Sequence, residues 1–502
     1  MKFLHKYQPA GLSRAIGMLF VTGSVVTGSH AAPTTQMVSI DHTVDFSRFD
    51  PARNTPALDS QVINHHSSSN QGLSLQQAQD LALQSRPLQQ LWQQRRHIAE
   101  ANVLQSNQRR NPQLVLEQTG FKNTQEREAS IAIAQQLDIF GERKTRLQLA
   151  GLQLEQDSIS RLTEKTELRL AVTIAYWQLA QAEWALELAS TQQQLSLQGL
   201  MVAKKRLQAG RIAEVDYQRV HIAHQNQVRQ WQAAQAQCAL ARQQLGQFWA
   251  NSAMMPDLAE VHTAQPSQLP TLELDNLQAS LAQSPLWQRL GLQQQQASTS
   301  LKLAKIQAKP QPTVSLGYVQ TREPATQDNS NRQRLALGLS IPLPLFQQNQ
   351  GIIQAQQQVQ QVNQLQAELQ QQQIQRKLQQ HWQALQAIRQ QYDIVHNHQL
   401  PLSQQVQQKT LTGFEAGKFS VLEVQQASRD YQQLQAEQLD LLRQAWQLSF
   451  QLQALSMGLA DFELSRFDQN SENFINNFNQ QISQSAVNLA TDAMAGLGMN
   501  GE

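Results

Sequence analysis

From Gln333 to Gly351 the chain reads QRLALGLSIPLPLFQQNQG, with Leu335, Leu337, Leu339, Ile341 and Leu343 at every second position. Ala336, Gly338, Ser340 and Pro342 lie between them. This two-residue period places bulky aliphatics on one face of a strand and small residues on the other. From Gln347 the period changes to threes and fours, so the strand runs into a long helix.

The same alternation occurs elsewhere. In 129–139, Ile131, Ile133, Leu137 and Ile139 share one face, opposite Ser130, Ala132, Ala134, Gln136 and Asp138. A strand over 113–121 precedes it, and the polar stretch 122–127 is short enough for a hairpin. Val314, Leu316 and Tyr318 alternate with Thr313, Ser315 and Gly317, followed by a polar loop over 321–331.

Helical periods fill most of the remainder. A helix opens at Leu73-Ser74-Leu75, with Ser74 as N-cap, is kinked or split at Pro87, and stops at Asn111-Pro112. A second runs from Gly141 to about Gln208, where Ala175, Leu179, Ala182, Leu186 and Ala189 repeat at fours and threes as a coiled-coil seam. At 1.5 Å per residue it is about 100 Å long. Ala209-Gly210 breaks it before a helix over 214–249. After the Pro-containing stretch 251–272 the plan repeats. A helix over 273–309 is interrupted near Pro285, a hairpin spans 312–343, and a long helix carries Ile374, Leu378, Trp382, Leu385, Ile388, Tyr392 and Val395. Pro401 is expected to interrupt that helix and Gly413 to Gly417 to end it, before a last helix over 420–458. Ala209-Gly210-Arg211-Ile212-Ala213 matches Ala416-Gly417-Lys418-Phe419-Ser420, and a period this long signals a duplicated domain rather than a solenoid.

The expected fold is therefore mostly α with a small β part, in two structural repeats, 73–250 and 273–460, joined by a linker. Residues 32–72, which include His65 and His66, read as an extension. The Asn- and Gln-rich stretch 461–502 reads as a disordered tail.

Composition narrows the function. Aromatics are 6% and charged residues 16% of the 502 residues, which suits long helices packed side by side better than several compact cores. Net charge is +2 without a long basic run, so nothing points to nucleic acid. Lys2, Lys6 and Arg14 precede an apolar stretch over 15–26, and Ser29-His30-Ala31 offers a cleavage site. Residues 1–31 are thus expected to be a removed signal peptide, the alternative being an uncleaved anchor. The one cysteine, Cys238, excludes an intrachain disulfide and an acylated N-terminal cysteine.

The strands then decide the compartment. Four strands with one aliphatic face have no second sheet to cover it, whereas lipid covers it if the sheet closes without a free edge. Membrane barrels need about eight strands or more, so several chains must contribute, with long helices projecting into the periplasm.

The duplicated plan over about 73–458 resembles the TolC-type outer membrane efflux protein family. LSLQQAQDLAL, RRNPQLVLE, LDIFGERKTRL and especially IPLPLFQQNQG resemble its CzcC-like heavy-metal efflux branch. The resemblance implies a homotrimer with a twelve-stranded barrel and a helical tunnel, joined to a periplasmic adaptor and an inner-membrane pump of the resistance-nodulation-division type. It implies a gate near Asp216, Glu423 and Gln426, the last standing where relatives keep a second acid. Adaptor-contacting tips fall at Gly210, Arg211, Gly417 and Lys418, and strand-to-helix junctions at Phe140, Gly141, Pro342, Pro344 and Gly351. Many relatives are N-terminally acylated, and this chain lacks the cysteine for it.

A duct needs no cofactor, and no catalytic motif is present. His221 and His224, at i and i+3, are weak candidates for a metal ion, with plain surface histidines the favoured reading. The leading expectation is an exit duct for metal cations. The alternatives are a duct for drugs or secreted polypeptides, and a secreted coiled-coil structural or adhesive protein.

Overall fold

The computed structural model describes residues 73–121, 126–249, 268–322, 331–459 and 471–496. The expected signal peptide, the extension with His65 and His66, most of the 251–272 linker and much of the two hairpin loops lie outside the described residues.

Helices α1 (Leu75–Leu83) and α2 (Arg86–Ser106) lead to strands β1 (Gln113–Thr119) and β2 (Arg127–Gln136), then to α3 (Glu142–Gln208) and α4 (Glu214–Gly246). The order recurs in α5 (Leu274–Ala282), α6 (Pro285–Gln307), β3 (Thr313–Arg322), β4 (Asn331–Ser340) and α7 (Gln350–Asp393). A π segment (Ile394–Gln399), α8 (Leu400–Glu415) and α9 (Val421–Ser456) complete the second repeat, and α10 (Ser471–Gly496) follows. Among the described residues no helix is long and apolar enough to cross a membrane.

The strands form one antiparallel sheet in the order β1-β2-β3-β4. The register aligns the aliphatics into rows: Leu116, Ile131, Tyr318 and Leu335 in one, Leu114, Ile133, Leu316 and Leu337 in the next. All are exposed, Leu335 and Leu337 at 80% each. The opposite face pairs small groups, with Ala132 beside Gly317 and Gly317 beside Ala336. A Cβ added to Gly317 would stand 2.9 Å from that of Ala132, so this face is packed too closely for a larger residue.

Helices α2, α3, α6 and α7 pack side by side in that order, continuing the order of the strands they adjoin. The main core lies at the middle of α3, where Leu168 to Leu179 meet α1, α2, α4, α9 and α10. Trp177, Trp446 and Phe450 cluster there in tilted and edge-on contacts with centroids 5.6 to 5.8 Å apart. Beside this core Arg95 is 2% exposed. Its Nε donates to Asp157 at 2.5 Å and its Nη1 to Glu164 at 2.7 Å, while the Trp92 indole N–H also donates to Glu164 at 2.7 Å. Burial pushes the Glu164 carboxyl above the ordinary range, against the opposing pull of Arg95.

One expectation needs correction. The Asn- and Gln-rich tail is not disordered throughout: 471–496 is helical, and Phe474, Phe478 and Ile482 are buried in the main core. These residues recur every four positions, so a narrow apolar stripe suffices to dock a helix whose other faces are polar. Near Pro401 the expected interruption takes the form of a change of helix type rather than a break. The six-residue π segment directly before it widens the backbone where proline has no N–H to give and crowds the preceding turn, and the helix continues through α8.

Phe478→Ala should lower stability by about 3–5 kcal/mol and expose 471–496 to protease. An unchanged thermal midpoint and digestion pattern would contradict the docking of α10.

Candidate functional site

The two helix hairpins α3/α4 and α8/α9 end in matching turns. Gly210 and Gly417 are left-handed, with φ of 67° and 79°. Around each the chain closes a Schellman motif: Arg211 N–H donates to the Arg206 carbonyl at 2.8 Å, and Lys418 N–H to the Gly413 carbonyl at 2.7 Å. The Phe419 ring folds back onto Gly413, where an added Cβ would meet the ring at 2.3 Å. This second turn is therefore closed by an aromatic that only glycine admits.

Arg206, in the last turn of α3, joins the two tips. Its Nη1 donates to the Phe414 carbonyl at 2.6 Å, and its guanidinium lies 4.4 Å from the Phe414 ring centroid. The sequence reading passed over this residue. Its signal was a basic group four positions before a tip glycine, where it also complements the helix dipole.

The acidic candidates occupy equivalent places, each the third residue of its helix. Asp216 opens α4 and takes a hydrogen bond from Arg219 Nη1 at 3.4 Å on the same helix, so the basic partner in this chain is a local one. Glu423 opens α9 in a capping box: its carboxylate accepts from Ser420 N–H at 2.7 Å and Ser420 Oγ at 2.8 Å, while Glu423 N–H donates to Ser420 Oγ at 3.3 Å. The Ser420 backbone and hydroxyl hold the Glu423 carboxyl below the usual range. It is exposed and negatively charged at neutral pH. Gln426, one turn on, is held by Asp430 at 2.8 Å. Asp430 is an acid on this helix that the sequence reading did not single out.

The structure does not bring His221 and His224 together as a metal site. His224 is buried, and its Nδ1 lies 2.8 Å from Ser196 Oγ on α3. His221 is exposed, stacked on Tyr217 and 3.4 Å from Gln225. The three-residue spacing turns one ring into the helix interface and leaves the other outside it. Among the described residues no group of three or more His, Cys, Asp or Glu could hold a metal ion.

At the other end the strands turn into helices differently in the two repeats. After β2, Gly141 is left-handed with φ of 77°, and Asp138 caps α3 by accepting from Glu142 N–H at 2.7 Å and Arg143 N–H at 2.8 Å. Glu142 is 4% exposed and accepts from Arg110 at 3.3 Å and from Gln311, which ties the two strand entries together. Phe140 lies under Lys309, 4.9 Å from its ring centroid. After β4, Pro342 and Pro344 lie beyond the ladder, the left-handed residue is Asn349, and Gly351 stands already inside α7. Phe346 is 94% exposed.

No family model matches the chain. It is similar in sequence to the cobalt-zinc-cadmium resistance protein CzcC of Cupriavidus metallidurans, 28% identical over 356 residues, covering 69% of this chain and 81% of that protein. Its fold is that of solved outer membrane channels. CusC, whose crystal structures concern transmembrane channel formation, superposes with a TM-score of 0.59 at 18% identity, over 78% of this chain and 94% of that one. The outer membrane protein VceC of Vibrio cholerae gives 0.58 at 15%, over 76% and 96%. The CmeC outer membrane channel of Campylobacter jejuni gives 0.54 at 12%, over 84% and 98%.

Replacing Glu423 separates charge from capping. Glu423→Gln keeps a side chain that closes the box, while Glu423→Ala loses it. Because folding lowers the Glu423 pKa, its contribution is fully present above the ordinary carboxyl range of about 4.3 and is lost as pH falls below it. Amide exchange at the start of α9 should rise in acid in the parent and stay flat in Glu423→Gln. Arg206→Ala should raise exchange at both tips together, and a rise confined to α3 would count against the link.

Proposed function

We propose that the chain is one of three in an outer membrane exit duct that exports heavy-metal cations, working with a periplasmic adaptor and an inner-membrane pump of the resistance-nodulation-division type. The observation that carries this reading is the row of exposed aliphatics across a four-stranded sheet whose outer strands, β1 and β4, have no further partner strand among the described residues. Within β4 the outward aliphatics run from Leu335 to Leu339, about 14 Å of extended chain, and fall inside the apolar band of a membrane barrel, about 25 Å. Backbone groups in hydrocarbon must be paired, and four strands are too few to close. Three copies supply twelve, with β4 of one copy bonding β1 of the next and α7 meeting α2 below them.

A duct of this kind does no covalent chemistry. Its selectivity lies at the narrow end, and three Glu423 carboxylates around the axis favour cations there. Cation cargo is further supported by the likeness to a protein named for cobalt, zinc and cadmium resistance. The tips at Gly210, Arg211, Gly417 and Lys418 form the surface offered to the adaptor.

The purified chain should run as a trimer in detergent and conduct ions across planar bilayers, and a water-soluble monomer would end the proposal. Glu423→Gln should lower cation preference in single-channel recordings without altering assembly; unchanged selectivity would remove Glu423 from the gate. A deletion strain should become sensitive to zinc, cobalt or cadmium. Sensitivity to dyes and detergents alone would favour a drug duct of the same architecture.

A further inference from the structure

Two basic stretches, RRNPQLVLE ahead of β1 and LDIFGERKTRL opening α3, meet at the first strand-to-helix junction. Their charged residues line one cavity of about 320 Å³, Arg109 and Arg110 from the first stretch and Asp138, Glu142, Arg143 and Arg146 from the second. Four guanidiniums against two carboxylates leave an excess of two positive charges. Both carboxylates are already engaged. Asp138 gives one oxygen to each of two N–H groups that open α3, and Glu142 accepts from Arg110 and Gln311. Arg146 Nε is buried and makes no hydrogen bond among the described residues, with Glu142 Oε1 standing 4.0 Å away. Arg109, which is exposed, adds a further guanidinium to the same cavity. The positive end of the α3 dipole lies there too.

A neighbouring copy does not supply the missing anion. In the trimer proposed above, β4 and the start of α7 of the next copy lie against this junction, and from Asn329 to Ala367 the sequence contains no Asp or Glu. A small anion with several oxygens fits the arrangement instead. Phosphate presents its oxygens in the forked geometry that guanidiniums match. Leu137, which belongs to the aliphatic face and is 39% exposed, also lines the cavity. Under the outer membrane reading this is the depth of the periplasmic-leaflet headgroups.

We propose that Arg109 and Arg146 bind a phosphate group in this cavity, one site per chain. The site is built within a single chain and stands on its own geometry, whereas a lipid source for the phosphate rests on the outer membrane reading given above.

The test is titration calorimetry of the full chain in an uncharged detergent at fixed ionic strength, with inorganic phosphate or phosphatidylglycerol as probe and chloride as blank. The parent should bind at least one of the two probes at one site per chain. Arg109→Gln combined with Arg146→Gln should weaken that binding about thirtyfold. Lys144→Gln, which removes an exposed charge from the same turn of α3 outside the cavity, should leave it unchanged. The thermal midpoint without probe checks that each variant has folded, and the single variants serve if the double one has not. Phosphatidylglycerol bound without inorganic phosphate assigns the site to a lipid headgroup, the reverse assigns it to a soluble phosphate, and competition between the two assigns it to the group they share. No heat above the blank from the parent, a double variant that binds like the parent, or an equal loss in Lys144→Gln overturns the proposal. A parent that binds inorganic phosphate but forms no trimer ends the outer membrane reading and leaves the phosphate site in place.

Discussion

Everything else in this molecule follows from the backbone pairing of one small sheet. Its four strands bond to one another and leave a donor and acceptor edge on β1 and on β4, while the side chains on one face ask for an apolar surrounding. The duct proposed above meets both demands, since other copies would bond the edges and lipid would cover the face. The small residues opposite, above all Gly317 against Ala132, let that face pack closely without side chains filling it.

The helices inherit this arrangement. Because α2, α3, α6 and α7 adjoin the strands in sheet order, the strand order becomes a helix order without any crossing of the chain. The polar contacts sit where a change of structure has to be fixed. At the strand-to-helix junction, Glu142 gathers Arg110 and Gln311 from both strand entries. Beside the central core, Arg95 binds two carboxylates of α3 to α2. A buried charge that loses its partners is costly, so such clusters specify register more than they add stability. At the tips the two hairpins are joined by Arg206 reaching the Phe414 carbonyl.

The repeats differ in how they solve the same turn. The first uses a left-handed glycine and an aspartate cap, the second two prolines and a left-handed asparagine. Proline ends pairing because it has no N–H to donate, and Asn349 tolerates the left-handed region better than most residues. The second junction has Phe346 almost fully exposed, where the first holds Phe140 under Lys309. The same asymmetry appears at the tips, where only the second carries a Ser-Glu capping box.

The strands, the long helices and both tip glycines were legible in the sequence, because a period of two, a period of threes and fours and a glycine break are local properties of the chain. The helical part of the tail was hidden by its composition: Phe474, Phe478 and Ile482 make a stripe only when a surface exists to receive it. Pro401 marked an interruption without its form, since a proline's effect depends on the backbone before it, and six residues of π helix absorb it. The tertiary structure alone decided which side chains meet. It turned His224 onto α3 and left His221 outside, gave Glu423 a capping partner, and brought Arg206 to a carbonyl far along the chain. Periodicity fixes which face a residue occupies, but contacts between distant segments are set by packing, which no single stretch of sequence records.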